Sequence, residues 1–173
     1  MKGLFTSEQD GWLTPKHIIE SVVNVMGAID LDPCSDIRKH IPAAVNFTDK
    51  EDGLSMDWFG RVFMNPPYGG KISSWAKKWR GEYEKHHFER GIALVPARTD
   101  TEWWRDLIST ASIVCFIDGR LRFGDKQGEE RAPSTFPSVV LYACRDDQNE
   151  MKIFSDEFTK EGNIWIKAQA SFK

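Results

Sequence analysis

The tetrapeptide Asn65-Pro66-Pro67-Tyr68 is the segment of this chain best equipped for chemistry. It follows the apolar run Val62-Phe63-Met64, so it leaves the end of a buried strand. Two prolines stiffen the loop and remove two backbone donors, leaving carbonyls as acceptors. The Asn65 side chain adds another acceptor oxygen, and Tyr68 adds an aromatic face. Such a set suits a planar group carrying an NH2, whose two hydrogens the acceptors hold while the ring lies against its plane. An amine of this kind on adenine is a poor nucleophile, because its lone pair is delocalised into the ring. Accepting both N–H bonds favours the pyramidal geometry in which that lone pair points outward. Asn65 is then an orienter and not a base, since the proton becomes acidic only once a new bond has formed. The competing reading is a proline-rich turn on which a tyrosine packs.

The elements that must position this loop are legible in outline. Thr14 and Pro15 read as the cap and first residue of a helix, with Ile18, Ile19, Val22, Val23 and Met26 at helical spacing and Gly27 as its stop. Ala28 to Leu31 reads as a strand ending at Asp32-Pro33-Cys34, and Ile41 to Phe47 holds a further short one. Strands are also predicted at Arg61–Met64, Gly91–Val95, Ile113–Ile117 and Ser138–Cys144. Helices are predicted from Ile72 to about His87 and from Thr101 to Ala111, the latter capped by Thr99 or Asp100. Apolar strands alternating with amphipathic helices argue for an α/β architecture with a mainly parallel sheet. The last two strands have no helix between them and should pair antiparallel. Ligands of such sheets sit beyond the carboxyl ends of the strands, where Asp32-Pro33-Cys34, Asn65-Pro66-Pro67-Tyr68 and Pro96-Ala97-Arg98 would meet.

An ordered series of segments resembles the phage-type DNA adenine-N6 methyltransferase (Dam) family. It runs Trp12-Leu13-Thr14-Pro15, Leu31-Asp32-Pro33-Cys34, Glu51-Asp52-Gly53-Leu54 with Trp58, and Asn65-Pro66-Pro67-Tyr68-Gly69. It continues through Pro96-Ala97-Arg98-Thr99-Asp100-Thr101, Trp103-Trp104, Gly119-Arg120-Leu121-Arg122-Phe123, Ala132-Pro133 and Phe136-Pro137-Ser138. The tetrapeptide alone is shared with glutamine and RNA methyltransferases; the whole series, over roughly residues 10 to 145, is more specific. The resemblance implies a class I methyltransferase (Rossmann-like) fold, S-adenosylmethionine as donor and adenine in duplex DNA as acceptor, reached by base flipping. It places Asn65, Pro66, Pro67 and Tyr68 on the target base and Asp32, Pro33 and Cys34 beside the cofactor. Trp12, Thr14 and Pro15 match the N-terminal motif lining the donor's methionine end. Asp52 resembles the acid that bonds the donor's adenine amine, with Asp49 as second choice for its hydroxyls. No glycine-rich turn follows the first strand, and the chain between Asp32 and Asn65 is short for two βα units. One central unit is therefore expected to be trimmed.

Cations near these segments are the candidate DNA contacts. Arg98, Arg120 and Arg122 follow strand ends, while Lys71 and Lys77 open a stretch, residues 71 to 90, with an excess of Lys and Arg over Glu. The plainer reading of that stretch is a solvated helix face with i,i+4 pairs. Sequence readout must come from short loops such as 70 to 75 or 119 to 137, which implies a short or loosely read site. Trp103 and Trp104 read as packing residues, and Cys34 as packing against cofactor, because no histidine stands near it in a nucleophile's arrangement. His17, His40, His86 and His87 have no metal-ligand spacing, and no metal is expected.

At 173 residues, with 40% hydrophobic and 28% charged residues, the chain suits a single domain. Residues 1–173 read as one methyltransferase domain, with its core at about 10–145 and residues 146–173 as a C-terminal extension. A net charge of −3 gives no global pull toward nucleic acid, so contacts must be local. Three cysteines without a close pair, no signal-peptide core and no apolar run long enough for a bilayer point to a reducing cytoplasm. If the chain is phage-encoded, that cytoplasm is the bacterial host's. Oligomeric state is not legible. The rival readings are an enzyme using the same loop on an RNA base or a glutamine side chain, and a catalytically silent DNA-binding module.

Overall fold

Strands that are apolar at successive positions need cover on both faces, and the chain supplies it with two pairs of helices. The computed structural model describes residues 13–124, 129 and 131–167. Seven strands form one sheet: β1 (Ile29–Asp32), β2 (Ala43–Asn46), β3 (Gly60–Met64), β4 (Phe88–Pro96), β5 (Ile113–Ile117), β6 (Ser138–Ala143) and β7 (Gly162–Ile166). Their spatial order is β2-β1-β3-β4-β6-β5-β7. The pairs from β2 to β4 are parallel, and β6 runs antiparallel to both β4 and β5. The antiparallel β5–β6 pair is as the sequence predicts.

Alternation along the strands sorts the core into two layers. Val62, Met64, Ala93, Val95, Val139 and Leu141 face α2 (Ile72–Glu84) and α3 (Glu102–Thr110), whose Trp75, Trp79, Trp103, Trp104 and Leu107 are buried there. Phe63, Ile92, Leu94, Val140 and Tyr142 face α1 (Lys16–Met26) and α4 (Gln148–Phe158). Both adjacent tryptophans of α3 thus serve packing, as expected.

The trimmed unit is visible as two connections. Neither β1 to β2 nor β2 to β3 contains a helix. In place of one, Trp58 fills the layer beside α2, its ring 6.3 Å from Trp75, 6.4 Å from Trp79 and 6.2 Å from Phe88. Its indole N–H donates to the Gly53 carbonyl (2.8 Å), and its backbone N–H donates to the buried Glu82 carboxylate (3.2 Å). Glu82 also pairs with Lys78 and His87. Burial alone would raise its carboxyl, but these partners outweigh it and hold the group below its usual range.

Two helix caps differ from expectation. Thr14 does not cap α1: the cap position falls on Pro15, which has no side-chain acceptor, and the Thr14 hydroxyl accepts from Asn65. In α3 the cap is Thr101, whose Oγ1 accepts from Trp104 N–H, in place of Thr99 or Asp100. The residues after 147 add two elements that the sequence pattern does not signal. Helix α4 is capped by Asp147 and seats Met151, Phe154 and Phe158 on the sheet, and β7 pairs antiparallel with β5. Phe154 lies 4.5 Å from the Phe158 ring and 5.6 Å from Tyr142. Phe154→Leu is therefore expected to lower stability by about 1–2 kcal/mol in urea melts; an unchanged midpoint would contradict this packing. No helix of the described residues is long and apolar enough to cross a membrane.

Candidate active site

Strand β1 has β2 on one side and β3 on the other, so the chain reverses its lateral direction there. Such a reversal is where sheets of this kind place a ligand crevice, beyond the carboxyl ends of the two strands. Asp32 closes β1 and Asn65 follows β3, so the two motifs that the sequence singles out stand side by side at that point.

The β1 side is locked by backbone bonds. Phe47 N–H donates to the Asp32 carbonyl (2.9 Å), and Ser35 N–H donates to the Phe47 carbonyl (2.8 Å). The Asp32 side chain is 3% exposed and accepts from Cys34 N–H (3.1 Å). Burial pushes its carboxyl up to about 7, against the pull of those hydrogen bonds. Burial also raises the Cys34 thiol well above its ordinary range, and the Asn65 backbone N–H points at its sulfur. A thiol so buried is kept in its neutral form, which weighs against a nucleophile's role.

The loop 48–55 is pressed onto Pro33. Gly53 is needed there because a Cβ would fall 1.8 Å from the Pro33 carbonyl oxygen. Asp52, with φ of 53°, precedes it and is exposed. Asp49 is exposed in the same turn, which Thr48 and Glu51 hold together through a 2.8 Å bond from Thr48 N–H to Glu51 Oε2. Both candidate acids therefore belong to a loop anchored beside Pro33.

On the β3 side, Asn65 is held from two directions. Its Nδ2 donates to Thr14 Oγ1 (3.0 Å), and its Oδ1 accepts from the Tyr68 hydroxyl (2.7 Å). That hydroxyl also lies 3.3 Å from the Leu94 carbonyl of β4. The Tyr68 ring stands edge-on to Phe136 (5.3 Å) and Phe123 (6.1 Å), and it touches both core layers. Burial raises its phenol well above the ordinary range. Pro66 is buried and Pro67 exposed. Gly69 turns the chain with φ of 125°, and a Cβ there or at Gly70 would meet nothing within 4 Å.

The segment after β5 folds over the same end of the sheet. Leu13 and Gly124 exchange backbone hydrogen bonds, tying this segment to the residues just before Thr14. Phe123 and Phe136 are parts of the site that sequence reasoning did not assign a role. Their signal was only their place between arginines and prolines. Arg98, Arg120 and Arg122 are exposed on loops leaving β4 and β5 at this end. Lys71 is exposed beside Gly70, while Lys77 lies about 9 Å further along α2. Lys78, Arg80 and Arg90 are engaged by Glu82, Glu84 with Asp106, and Glu150, as a solvated or structural face requires. Trp12 lies outside the described residues, as do residues 125–128 and 130 of the loop 119 to 137. Among the described residues, no three His, Cys, Asp or Glu side chains cluster as a metal site would need.

No curated protein matches this chain. The model of the family described as DNA N-6-adenine-methyltransferase (Dam) matches residues 3–164, a span that contains every segment of the crevice and its rim. The chain therefore belongs to that family of enzymes, which move a methyl group from S-adenosylmethionine to the N6 amine of adenine in DNA.

Proposed function

We propose that the crevice takes the cofactor on its β1 side, over Asp32-Pro33-Cys34, and an extruded adenine on its β3 side, over Asn65-Pro66-Pro67-Tyr68. What carries this reading is the abutment of the two motifs, with Asn65 touching Thr14, Tyr68 and Cys34 at once. The donor set fits the cofactor: a buried carboxyl poised near neutrality suits the ammonium of an amino-acid end. Thr14 and Pro15 line that end, and Asp52 or Asp49 serves the nucleoside end. S-adenosylmethionine, when bound, supplies a methyl group on a sulfonium.

The remaining work falls to this chain's own groups. A stacked, paired adenine offers no free amine, so the base leaves the duplex at a cost of a few kcal/mol. Asn65 Oδ1 and the Pro66 carbonyl accept its two amine hydrogens and aim the lone pair. To admit the amine, the Tyr68 hydroxyl leaves Oδ1 for the Leu94 carbonyl, 3.3 Å away, exchanging one hydrogen bond for another at small net cost. The Tyr68 ring, braced by Phe123 and Phe136, forms the wall against the base.

Duplex DNA lies across the rim, its phosphates met by Arg98, Arg120, Arg122 and Lys71, with Lys77 at the margin. Each phosphate contact releases counterions, so Arg120→Ala should reduce the slope of log K against log salt by about 0.9 and weaken binding about tenfold at low salt. Filter binding over a salt series reads both, and an unchanged slope would remove Arg120 from the interface. The reading as a whole is tested by labelled methyl transfer to duplex DNA, RNA and protein in parallel. N6-methyladenine in DNA alone is expected; label in RNA or on glutamine would favour the rival acceptors.

A further inference from the structure

We infer that Thr14 is a positioning residue for methyl transfer: its hydroxyl anchors the Asn65 amide in place. The inference rests on the proposed role of Asn65 as acceptor of the adenine amine. An amide presents an oxygen on one side and an NH2 on the other, and only the oxygen can receive an amine hydrogen. Turned by half a rotation, the same side chain would set two donors against each other. What anchors the amide is a buried hydroxyl: Thr14 is 4% exposed, and its Oγ1 lies 3.0 Å from Asn65 Nδ2, so the side chain cannot swing away without losing that bond. With the NH2 anchored there, Oδ1 turns toward Tyr68 and the crevice.

Thr14 is itself firmly held. Leu13 and Gly124 are joined by two backbone bonds, and Pro15 starts α1, so the hydroxyl is set from both sides. A bond of this kind is absent from local sequence logic, since its partners are 51 residues apart.

The test is Thr14→Val, which keeps the shape and removes the hydroxyl, beside Thr14→Ser, which keeps the hydroxyl. Single-turnover methylation at saturating S-adenosylmethionine and duplex DNA separates chemistry from binding and release. Thr14→Val should fall about tenfold in that rate even with the cofactor saturating, the worth of one hydrogen bond, and Thr14→Ser should restore the rate. Added to Asn65→Ala, Thr14→Val should cost nothing more, because a residue acting through Asn65 has no effect once the amide is gone. A weaker cofactor Kd with an intact saturated rate would confine Thr14 to lining the cofactor and overturn the inference. So would an unchanged rate, a folded serine variant without recovery, or additive losses in the double variant. Full activity of Asn65→Ala by itself would instead bring down the reading of Asn65.

Discussion

Asn65→Ala is expected to lower the single-turnover methylation rate at least 100-fold, about 3 kcal/mol of transition-state stabilisation. The loss should appear in the rate and only weakly in cofactor binding, since the proposed role puts Asn65 on the amine and not on the donor. Three consequences of the substitution act together. The amine loses an acceptor that aims its lone pair, Thr14 Oγ1 loses its partner, and the Tyr68 hydroxyl is left with the Leu94 carbonyl alone. Asn65→Asp keeps an acceptor oxygen but gives up the donor to Thr14, so it should retain more activity than alanine. Methylation by the alanine variant within tenfold of the parent would leave the Pro66 carbonyl and Tyr68 as sufficient, and Asn65 would have no orienting role.

Much of this site was legible because its motifs interrupt apolar strands. Arg61-Val62-Phe63-Met64 stops at two prolines that cannot continue a ladder, which fixed both the end of β3 and the start of the loop. The same logic placed Asp32 at the end of β1, and the apolar run Ile113–Ile117 marked β5 to the residue. What stayed hidden depends on partners far away in sequence. Thr14 looks like a cap until Asn65 is brought to it, and Trp58 looks like an isolated aromatic until α2 lies beside it. Phe123 and Phe136 gain meaning only from the ring they brace. Helix α4 carries a narrow apolar stripe, Met151, Phe154 and Phe158, among charges, with Ile153 turned out to solvent. Strand β7 is half exposed and keeps Trp165 outside, so neither shows the full alternation of a buried element.

Asp32→Asn is expected to yield a protein that is more stable yet binds its cofactor poorly. The folded carboxyl titrates at about 7, whereas in the unfolded chain it ionises near pH 4. Between those values the folded protein holds the extra proton, so the contribution of Asp32 to stability declines as pH rises across that window and is level above it. The accumulated cost at pH 8 is about 4 kcal/mol. Asparagine carries no charge and keeps an acceptor for Cys34 N–H, so the variant should melt above the parent at pH 8 and level with it at pH 4. Binding runs the other way. An ammonium in the crevice selects the ionised form, so parent affinity for S-adenosylmethionine should rise roughly tenfold from pH 6 to pH 7.5. The variant should lose that rise and bind about 100-fold more weakly at pH 7.5, as removal of one partner from a desolvated charge pair does. Titration calorimetry at the two pH values reads both effects. Equal affinity of parent and variant, flat with pH, would mean that this carboxyl faces away from the cofactor, and the binding of its amino-acid end would have to be sought on the loop of Asp49 and Asp52.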